Sequence, residues 1–385
     1  MYLLTLPADE RAADAAVGSA AADPLIVLSA SDLTAFVRCE FAFARKFDQR
    51  LGRDIEVPSD RDETSERAAR LGDRHEAQIL ERYRRDCAVV EIAAPAGRPT
   101  WQGNFSASRE TLDALRGQAE VVAQATFFDP QLYLPENDQE ARLAFIGYAD
   151  FLLKTSDGPW LVQDAKLARR AKTPALLQLA AYAEQLERLG VAVAPTAQLL
   201  LGNGEVSEHA LTEILPVLRR QRQRMWNLIQ KRWMLRGQDG ARASAPAIAW
   251  NDPAVTACGR CVVCEAEAQR ERDLLLVSGL RVNQRTKLHR AAVTTIDALA
   301  SYAQSAAAIA ELAERSGVPE ATLEQLVHQA QLQVASETRA TPAVEVIQPA
   351  AIFELPEPNP GDLFFDFEGD PLYFCLLYTS DAADE

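Results

Sequence analysis

Apolar and polar positions along the chain follow strand-like and helical patterns in turn. Residues 141–154 and 160–167 are two apolar runs of strand length, separated by the turn residues 156–159. This pattern predicts a β-hairpin. Residues 121–128 and 192–201 are further strand-like runs. The segment after residue 128 is rich in turn residues, so we expect the first of these strands to end there.

Three helices are predicted around these strands. Residues 27–48 have the pattern of an amphipathic helix with Ser31 as its N-cap. Residues 62–85 form a long charged helical segment, and residues 174–189 form a helical segment after the hairpin. The order of helices and strands predicts an α/β fold, in which helices flank a mixed sheet.

The pattern changes from residue 274 onward to alanine-rich helices with short turns. Residues 277–292 and 314–330 each place a glycine-containing turn before a new helix, which is typical of helix-hairpin-helix elements. A plain helical bundle fits the same pattern. Residues 340–360 are proline-rich and acidic, and this composition predicts a linker.

Composition places the chain among globular proteins of two or three domains. It has 385 residues, of which 48% are hydrophobic and 25% charged. No apolar run approaches the roughly 18 residues of a membrane span. The N-terminus has no basic residue before its short apolar start, which argues against a secretory signal, so we expect a cytoplasmic protein. Residues 1–24 are rich in alanine and aspartate and are expected to be disordered.

A formal net charge of −15 disfavours nonspecific nucleic-acid binding over the whole surface. A protein that binds DNA would therefore need local positive charge. Residues 218–237 carry seven Arg and Lys residues and no acid, interleaved with Trp226 and Trp233. The alternative is a solvated amphipathic helix whose tryptophans anchor it to the core.

A set of residues suited to metal-dependent phosphodiester cleavage is spread along the chain: His75, Asp150, Asp164, Lys166, Gln178 and Tyr182. Asp164 and Lys166 are two positions apart on a predicted strand, so their side chains project to one face. The hairpin turn brings Asp150 towards the same face. Two carboxylates and a main-chain carbonyl, expected to be that of Ala165, would hold Mg²⁺ or Mn²⁺, and the lysine would orient the attacking water.

Each of these residues also has an ordinary structural explanation. A helical histidine such as His75 is often only a solvated side chain. Gln178 and Tyr182 share one helix face and would contact a phosphate backbone, although such pairs are commonplace. The signal therefore comes from the combination and its order.

Six cysteines without a secretion signal indicate thiols or metal ligands rather than disulfides. Four of them are candidate ligands: Cys39, followed much later by Cys258, Cys261 and Cys264 in a C-x2-C-x2-C run. Cys87 is expected to be a lone buried thiol.

The chain resembles the RecB-type branch of the PD-(D/E)XK nucleases. That family has a helical His, a strand Asp after Gly-x-x, a (D/E)-x-K strand and a Q-x-x-x-Y helix. The matching residues here are His75, Gly147 with Asp150, Asp164 with Lys166, and Gln178 with Tyr182. The resemblance implies a restriction-endonuclease-like domain over residues 25–268. It also implies that the histidine and both aspartates bind the metal, the lysine assists the water, and the Gln/Tyr pair contacts DNA.

The resemblance extends to the cysteines. Some RecB-like nucleases, including CRISPR adaptation nucleases and a helicase-nuclease subunit, place one Cys before the catalytic core and three after it. Their four thiolates hold a [4Fe–4S] cluster, which is implied here for Cys39, Cys258, Cys261 and Cys264. The gap before Cys264 is shorter than is usual in that family. Zinc bound by the same thiolates, or unligated cysteines, are the alternatives.

The chain also resembles a family of RecB-like nucleases that continue into a ribonuclease H-like exonuclease of the DEDD type. The sequence FFDFEGDP matches the first exonuclease motif, with Asp366 and Glu368 as metal carboxylates. The resemblance divides the remaining chain into a helix-hairpin-helix-like region (269–339), a linker (340–361), a truncated exonuclease start (362–375) and a tail (376–385). This tail looks like non-native sequence-adapter read-through.

The function implied is that of a metal-dependent DNA nuclease in repair, recombination or processing. Its expected partners are DNA, single-stranded or with free ends, and a helicase domain or subunit. Two alternatives remain: a non-cleaving nucleic-acid-binding or scaffolding module of a helicase-nuclease, and a protein-interaction platform for a helicase.

Overall fold

The computed structural model describes residues 1–5, 24–58, 63–95, 97–135, 137 and 139–347, with 350, 354, 356–357 and 359–363 beyond these. The chain forms two compact units, Met1–Cys264 and Glu265–Glu385. The predicted exonuclease carboxylates Asp366 and Glu368 lie outside the described residues.

Eight strands in the described part of unit 1 form one mixed sheet. They are β1 (Tyr2–Leu4), β2 (Leu25–Ser29), β3 (Val89–Glu91), β4 (Val121–Tyr133), β5 (Leu143–Lys154), β6 (Trp160–Lys166), β7 (Val193–Leu201) and β8 (Val206–Ala210). The β2–β5, β3–β4 and β6–β7 pairs are parallel, and the β1–β2, β4–β5, β5–β6 and β7–β8 pairs are antiparallel. The mixed sheet and the β5–β6 hairpin confirm the prediction.

Helices flank this sheet, as the sequence predicted. They are α1 (Ala30–Arg38), α2 (Glu40–Arg50), α3 (Glu63–Asp86), α4 (Trp101–Arg116), α5 (Thr173–Arg188) and α6 (Leu211–Met234). Helix α4 packs on β4, α3 on β6, and α5 on β7. The central strand β5 is almost continuously buried from Leu143 to Gly147, as expected for a strand covered on both faces.

The prediction of one helix over residues 27–48 was wrong. Leu25–Ser29 form a strand, because this buried apolar run pairs with β1 on one side and β5 on the other. The N-cap is Ser29 rather than Ser31: the Ser29 hydroxyl accepts from the Asp32 amide, and the Asp32 carboxylate accepts from the Ser29 amide. The chain then becomes extended at Cys39, which separates α1 from α2.

Two further segments differ from the sequence analysis. Tyr2–Leu4 lie in the segment expected to be disordered, yet they pair with Leu25–Val27. Strand β4 continues past residue 128 to Tyr133, with a register irregularity between Asp129 and Tyr133 that accommodates Pro130. Burial of Leu132 supplies the apolar contact for this extension.

The described part of unit 2 is helical. Its elements are two 3₁₀ turns (Leu274–Leu276 and Ser301–Gln304) and helices α8 (Val282–Arg290), α9 (Ile296–Ala300), α10 (Ala306–Ser316) and α11 (Glu320–Ser336); helix α7 (Val262–Arg270) begins in unit 1. Leu274, Leu288, Leu299, Leu312 and Leu323 are fully buried in its core. Among the described residues, no helix combines the length and apolarity needed to cross a membrane.

Candidate functional site

The sheet forks at strand β5. Leu143–Ile146 pair with β2 and Phe151–Lys154 pair with β6, while β4 pairs along the opposite edge through both stretches. The two neighbours β2 and β6 therefore share one edge of β5 and part between residues 147 and 150. A fork of this kind leaves backbone groups without a ladder partner, which side chains then have to satisfy.

Asp150 lies at this fork and faces β6. Phe151 pairs with Gln163, so Asp150 and Asp164 occupy the next facing position. The backbone amide of Ala165 donates to Asp150 Oδ2 at 2.7 Å, so a side chain replaces a ladder hydrogen bond here. The predicted approach of the two aspartates is therefore built into the register of the hairpin.

Lys166 completes this group. Its Nζ lies 2.5 Å from Asp164 Oδ2; the side chain of Asp164 is 3% exposed and that of Lys166 is 34% exposed. A buried carboxylate paired with a half-exposed amine places a positive charge between the carboxylates and solvent. This is the arrangement that the two-residue spacing on the strand predicted.

Burial and mutual repulsion perturb the charges of this group. The pKa of Asp150 is raised well above its usual value, first by desolvation and then by the charge of Asp164, and Lys166 only partly offsets this. Burial alone would lower the pKa of Lys166, but the carboxylates of Asp164 and Asp150 outweigh it, and the pKa is raised. Lys166 is therefore an ammonium at neutral pH, beside carboxylates that favour a further cation.

We expect Asp150→Asn to stabilise the protein in buffer without divalent cations. The change removes one of two carboxylates that folding brings together, and asparagine still accepts from the Ala165 amide. The parent loses stability as the pH rises from about 4, the ordinary carboxyl pKa, towards the raised pKa of Asp150. The gain in unfolding free energy should reach the order of 1 kcal/mol at pH 8 and shrink towards pH 5.

Denaturant unfolding followed by tryptophan fluorescence measures this gain in unit 1 alone, because all five tryptophans precede residue 264. Asp157→Asn, in the exposed turn of the same hairpin, is the matched control. A gain that is equal at pH 5 and pH 8 would contradict the charge argument.

Helix α5 brings Tyr182 to the fork. The backbone amide of Tyr148 hydrogen-bonds to the Tyr182 hydroxyl, and desolvation, followed by the charges of Asp164 and Asp150, raises the pKa of that hydroxyl well above its usual value. A Cβ on Gly147 would lie 2.6 Å from Phe145 Cε1 and 2.8 Å from Tyr182 Cε1. The positions of these two rings therefore require glycine at residue 147. Gln178 lies one turn earlier on α5 and is half-buried.

His75 lies on α3, close to the site but turned to the backbone. Its Nε2 is 3.2 Å from the carbonyl oxygen of Leu200, which pairs with Ala165 across β6 and β7. A proton on Nε2 would donate to this carbonyl and leave Nδ1 with a lone pair. Within the described residues, His75, Asp150 and Asp164 do not form a group of three ligand atoms within 4.8 Å of one another.

Two residues at the site were missed in the sequence. Glu76, next to His75, accepts a hydrogen bond from the side-chain amide of Gln124. Desolvation raises the pKa of Glu76, as does the charge of Asp164, although the Gln124 hydrogen bond opposes this. Gln124 has φ of 54° between Ala123 and Ala125, which pair with Phe151 and Ala149, so it lies across from Asp150.

A positive φ in the middle of a strand is strained for glutamine, and such residues are concentrated at functional sites. Here the strained residue holds a third carboxylate near the aspartate pair. A single acid beside a histidine on a charged helix gives no such signal in the sequence. The long separation of Glu76 from Gln124 hid the contact.

The second candidate site consists of Cys39, Cys258, Cys261 and Cys264, which we call the four-cysteine group. Their Sγ atoms all lie within 4.8 Å of one another, and among the described residues this group can hold a metal ion. Cys39 and Cys264 are buried, whereas Cys258 and Cys261 are half-buried. The sequence grouped these four residues correctly.

Backbone contacts hold the two halves of the four-cysteine group together. Phe41 donates its amide to the Thr256 carbonyl at 3.3 Å, and the Thr256 amide donates to Glu40 Oε2 at 2.9 Å. The Cys258 amide donates to Cys39 Sγ at 3.4 Å. The segment that carries the last three cysteines is therefore attached to the first turn of α2.

The thiols of the four-cysteine group hydrogen-bond to one another. Hydrogen bonding with Cys261 raises the pKa of Cys39 to about 11. The pKa of Cys261 is lowered, because the thiols of Cys264 and Cys39 hydrogen-bond to it, and the pKa of Cys264 is raised by the same contacts.

The arginine-rich segment is mostly neutralised by acids of its own unit. Most of it belongs to α6, which runs from Leu211 to Met234. Arg219 and Arg222 pair with Glu184 of α5. Arg224 pairs with Glu40, and Arg232 pairs with the fully buried Asp48. Trp233 is buried and Trp226 packs against Tyr133, so the tryptophans anchor the helix to the core.

Exposed positive charge also lies in the turn between β6 and α5. Arg169, Arg170 and Lys172 are exposed and make no ion pair within the described residues. They follow Lys166 within six positions. This turn presents an exposed positive surface directly after the strand that carries Asp164 and Lys166.

Comparison with known proteins adds no relative: no protein-family model and no curated protein matches the chain. The acidic group at the fork and the four-cysteine group supply the chemistry.

Proposed function

We propose that the protein is a metal-dependent DNA nuclease with a restriction-endonuclease-like core of the RecB type. The observation that carries this proposal is the meeting of Asp150, Asp164 and Lys166 at the fork of the sheet. Two carboxylates and an amine at one strand edge suit a hard divalent cation and an anionic substrate.

Asp150 and Asp164 would hold Mg²⁺ or Mn²⁺. When bound, such an ion supplies a Lewis acid and lowers the pKa of a coordinated water. Binding would also relieve the repulsion that raises the pKa of Asp150. Glu76 lies near enough to Asp150 for its charge to add to the rise in the pKa of Asp150, and it would add an outer carboxylate, with His75 beside it on α3.

Lys166 would orient the attacking water and offset negative charge that develops on the phosphate oxygens. Its ion pair with Asp164 fixes the amine at the edge of the site, and its partial exposure leaves it open to a substrate. Gln178 and Tyr182 would support the phosphate backbone from α5. The Tyr182 hydroxyl, bonded to the Tyr148 amide, also fixes the fork.

The exposed turn of Arg169, Arg170 and Lys172 is the proposed contact for DNA phosphates. Phosphate contacts supply most sequence-independent affinity, and each released counterion makes binding more dependent on salt. A local contact of this kind reconciles DNA binding with a net charge of −15. It is proposed in preference to Arg219, Arg222, Arg224 and Arg232 of α6, which have acidic partners.

The experiment is a cleavage assay of the full chain with end-labelled single-stranded and duplex DNA. We expect products with Mg²⁺ or Mn²⁺ and none without a divalent cation. Ca²⁺, which binds oxygen ligands but has looser geometry, is the control for binding without cleavage. Intact DNA under all of these conditions would refute the nuclease proposal.

The second candidate function is a non-cleaving nucleic-acid-binding module. It is favoured by the failure of the described carboxylates and His75 to form a ligand group within 4.8 Å. Salt-dependent DNA binding without cleavage in Mg²⁺ would support this function. Absence of both binding and cleavage would leave the platform for a helicase as the remaining alternative.

A further inference from the structure

The spacing of the sulfur atoms in the four-cysteine group identifies the kind of metal centre they suit. Cys39 Sγ lies 3.5 Å from Cys264 Sγ, and Cys258 Sγ lies 3.9 Å from Cys264 Sγ. Cys261 hydrogen-bonds to the other three thiols. We propose that the four-cysteine group binds one tetrahedral zinc ion, in place of the [4Fe–4S] cluster that the family resemblance implies.

The size of the sulfur tetrahedron matches a zinc site. Zinc binds thiolate sulfur at about 2.3 Å, so four sulfurs around one ion lie about 3.8 Å apart. The Cys39–Cys264 and Cys258–Cys264 sulfur separations, 3.5 and 3.9 Å, bracket this value, and all separations in the group are within 4.8 Å. The donor set of four cysteines is also one that structural zinc sites use.

A [4Fe–4S] cluster needs space between its thiolate ligands. In a [4Fe–4S] centre each thiolate binds a different iron, with sulfides between the irons, so the thiolates cannot contact one another. Here the thiols are in direct contact. Room for a cluster would require the segment with Cys258, Cys261 and Cys264 to move away from Cys39. That movement would break the Phe41–Thr256 and Glu40–Thr256 hydrogen bonds, which hold this segment to the first turn of α2.

Hydrogen-bond donors around the sulfurs suit the charge of a zinc–thiolate centre. Four thiolates around Zn²⁺ carry a net charge of −2, which amide donors can stabilise. Cys39 Sγ accepts from the Ala42 and Cys258 amides, both at 3.4 Å. The Cys261 and Cys264 sulfurs accept from the amides of Cys264 and Gly259. Gly259, at φ of 73°, makes the tight turn that brings its amide into place.

A zinc ion at this position would join chain segments 219 residues apart, from Cys39 to Cys258. Closing so long a loop removes many conformations from the unfolded chain, and metal binding adds to the stability of the folded state. The zinc centre would therefore stabilise the folded state of unit 1. The inference does not depend on nuclease activity.

The test is metal analysis of the full chain purified without oxygen from cells supplied with both zinc and iron. We expect about one zinc per chain, no visible absorption and no acid-labile sulfide. Replacement of the zinc by Co²⁺ should give the visible spectrum of a tetrahedral thiolate site. Cys261→Ser should lose the zinc, and Cys87→Ser, outside the four-cysteine group, should retain it.

About four irons with labile sulfide and brown colour would overturn the proposal, as would a single iron or no metal. The parent protein alone decides between these outcomes, so the test holds even if Cys261→Ser does not fold. Cleavage without zinc in the protein would refute the zinc centre and leave the nuclease proposal standing. Zinc in a protein that does not cleave DNA would support the zinc centre and refute the nuclease proposal.

Discussion

Asp164→Asn is expected to lower Mg²⁺-dependent DNA cleavage by about 10³-fold. The change keeps the shape of a side chain that is almost fully buried, but it removes the charge that pairs with Lys166 and would face the cation. Lys166→Met should reduce cleavage similarly, with less effect on metal affinity, because the amine would act on water and phosphate. Initial rates at saturating DNA measure both effects.

Asp157→Asn is the matched control, since it makes the same chemical change in the exposed turn of the same hairpin. Its cleavage rate should equal that of the parent. DNA binding measured in Ca²⁺ should survive in Asp164→Asn, because the basic turn of Arg169, Arg170 and Lys172 is unchanged. Cleavage by Asp164→Asn at the parent rate would remove this aspartate from the proposed site.

Asp48→Ala is expected to destabilise unit 1 by about 3–5 kcal/mol. Asp48 is fully buried and its carboxylate is surrounded by donors: Arg53, Arg232 and the Ile248 amide. Truncation would leave two buried guanidinium groups without their anion. Burial lowers the pKa of Arg53 and the charge of Asp48 opposes this, so loss of the carboxylate exposes the full desolvation penalty.

Denaturant unfolding followed by tryptophan fluorescence is the measurement. Glu81→Ala is the control, since Glu81 forms an exposed ion pair with Arg84 and its loss should leave stability almost unchanged. A loss below about 1 kcal/mol for Asp48→Ala would contradict the role given to this buried cluster. The cluster joins α2 to α6 and to the segment before the cysteines, so its loss should also weaken metal retention by the four-cysteine group.

The sequence predicted the central hairpin because its signal is local. Residues of β5 and β6 are apolar, lie on either side of a compact turn and carry Asp150 and the Asp164/Lys166 pair at positions that must face each other. The sequence also grouped the four cysteines by their spacing. It could not give the sulfur separations, which depend on how the Thr256 segment attaches to α2.

The parts that could not be predicted depend on distant partners. Leu25–Ser29 is a short apolar run that a helix or a strand can adopt, and its pairing with β5 decided the outcome. The arginines of α6 suggested a binding surface, because Glu184, Glu40 and Asp48 lie far away in the sequence. Glu76 and the strained Gln124 were missed for the same reason.

The order of synthesis gives the four-cysteine group a further consequence. Cys39 leaves the ribosome 219 residues before Cys258, a delay on the order of 10–40 s at 5–20 residues per second. During this delay α1 and α2 have neither the other thiols nor Thr256 to complete their junction. A nascent chain would therefore carry the Cys39 thiol without its three partner thiols, and protection by a chaperone would be most useful in that interval.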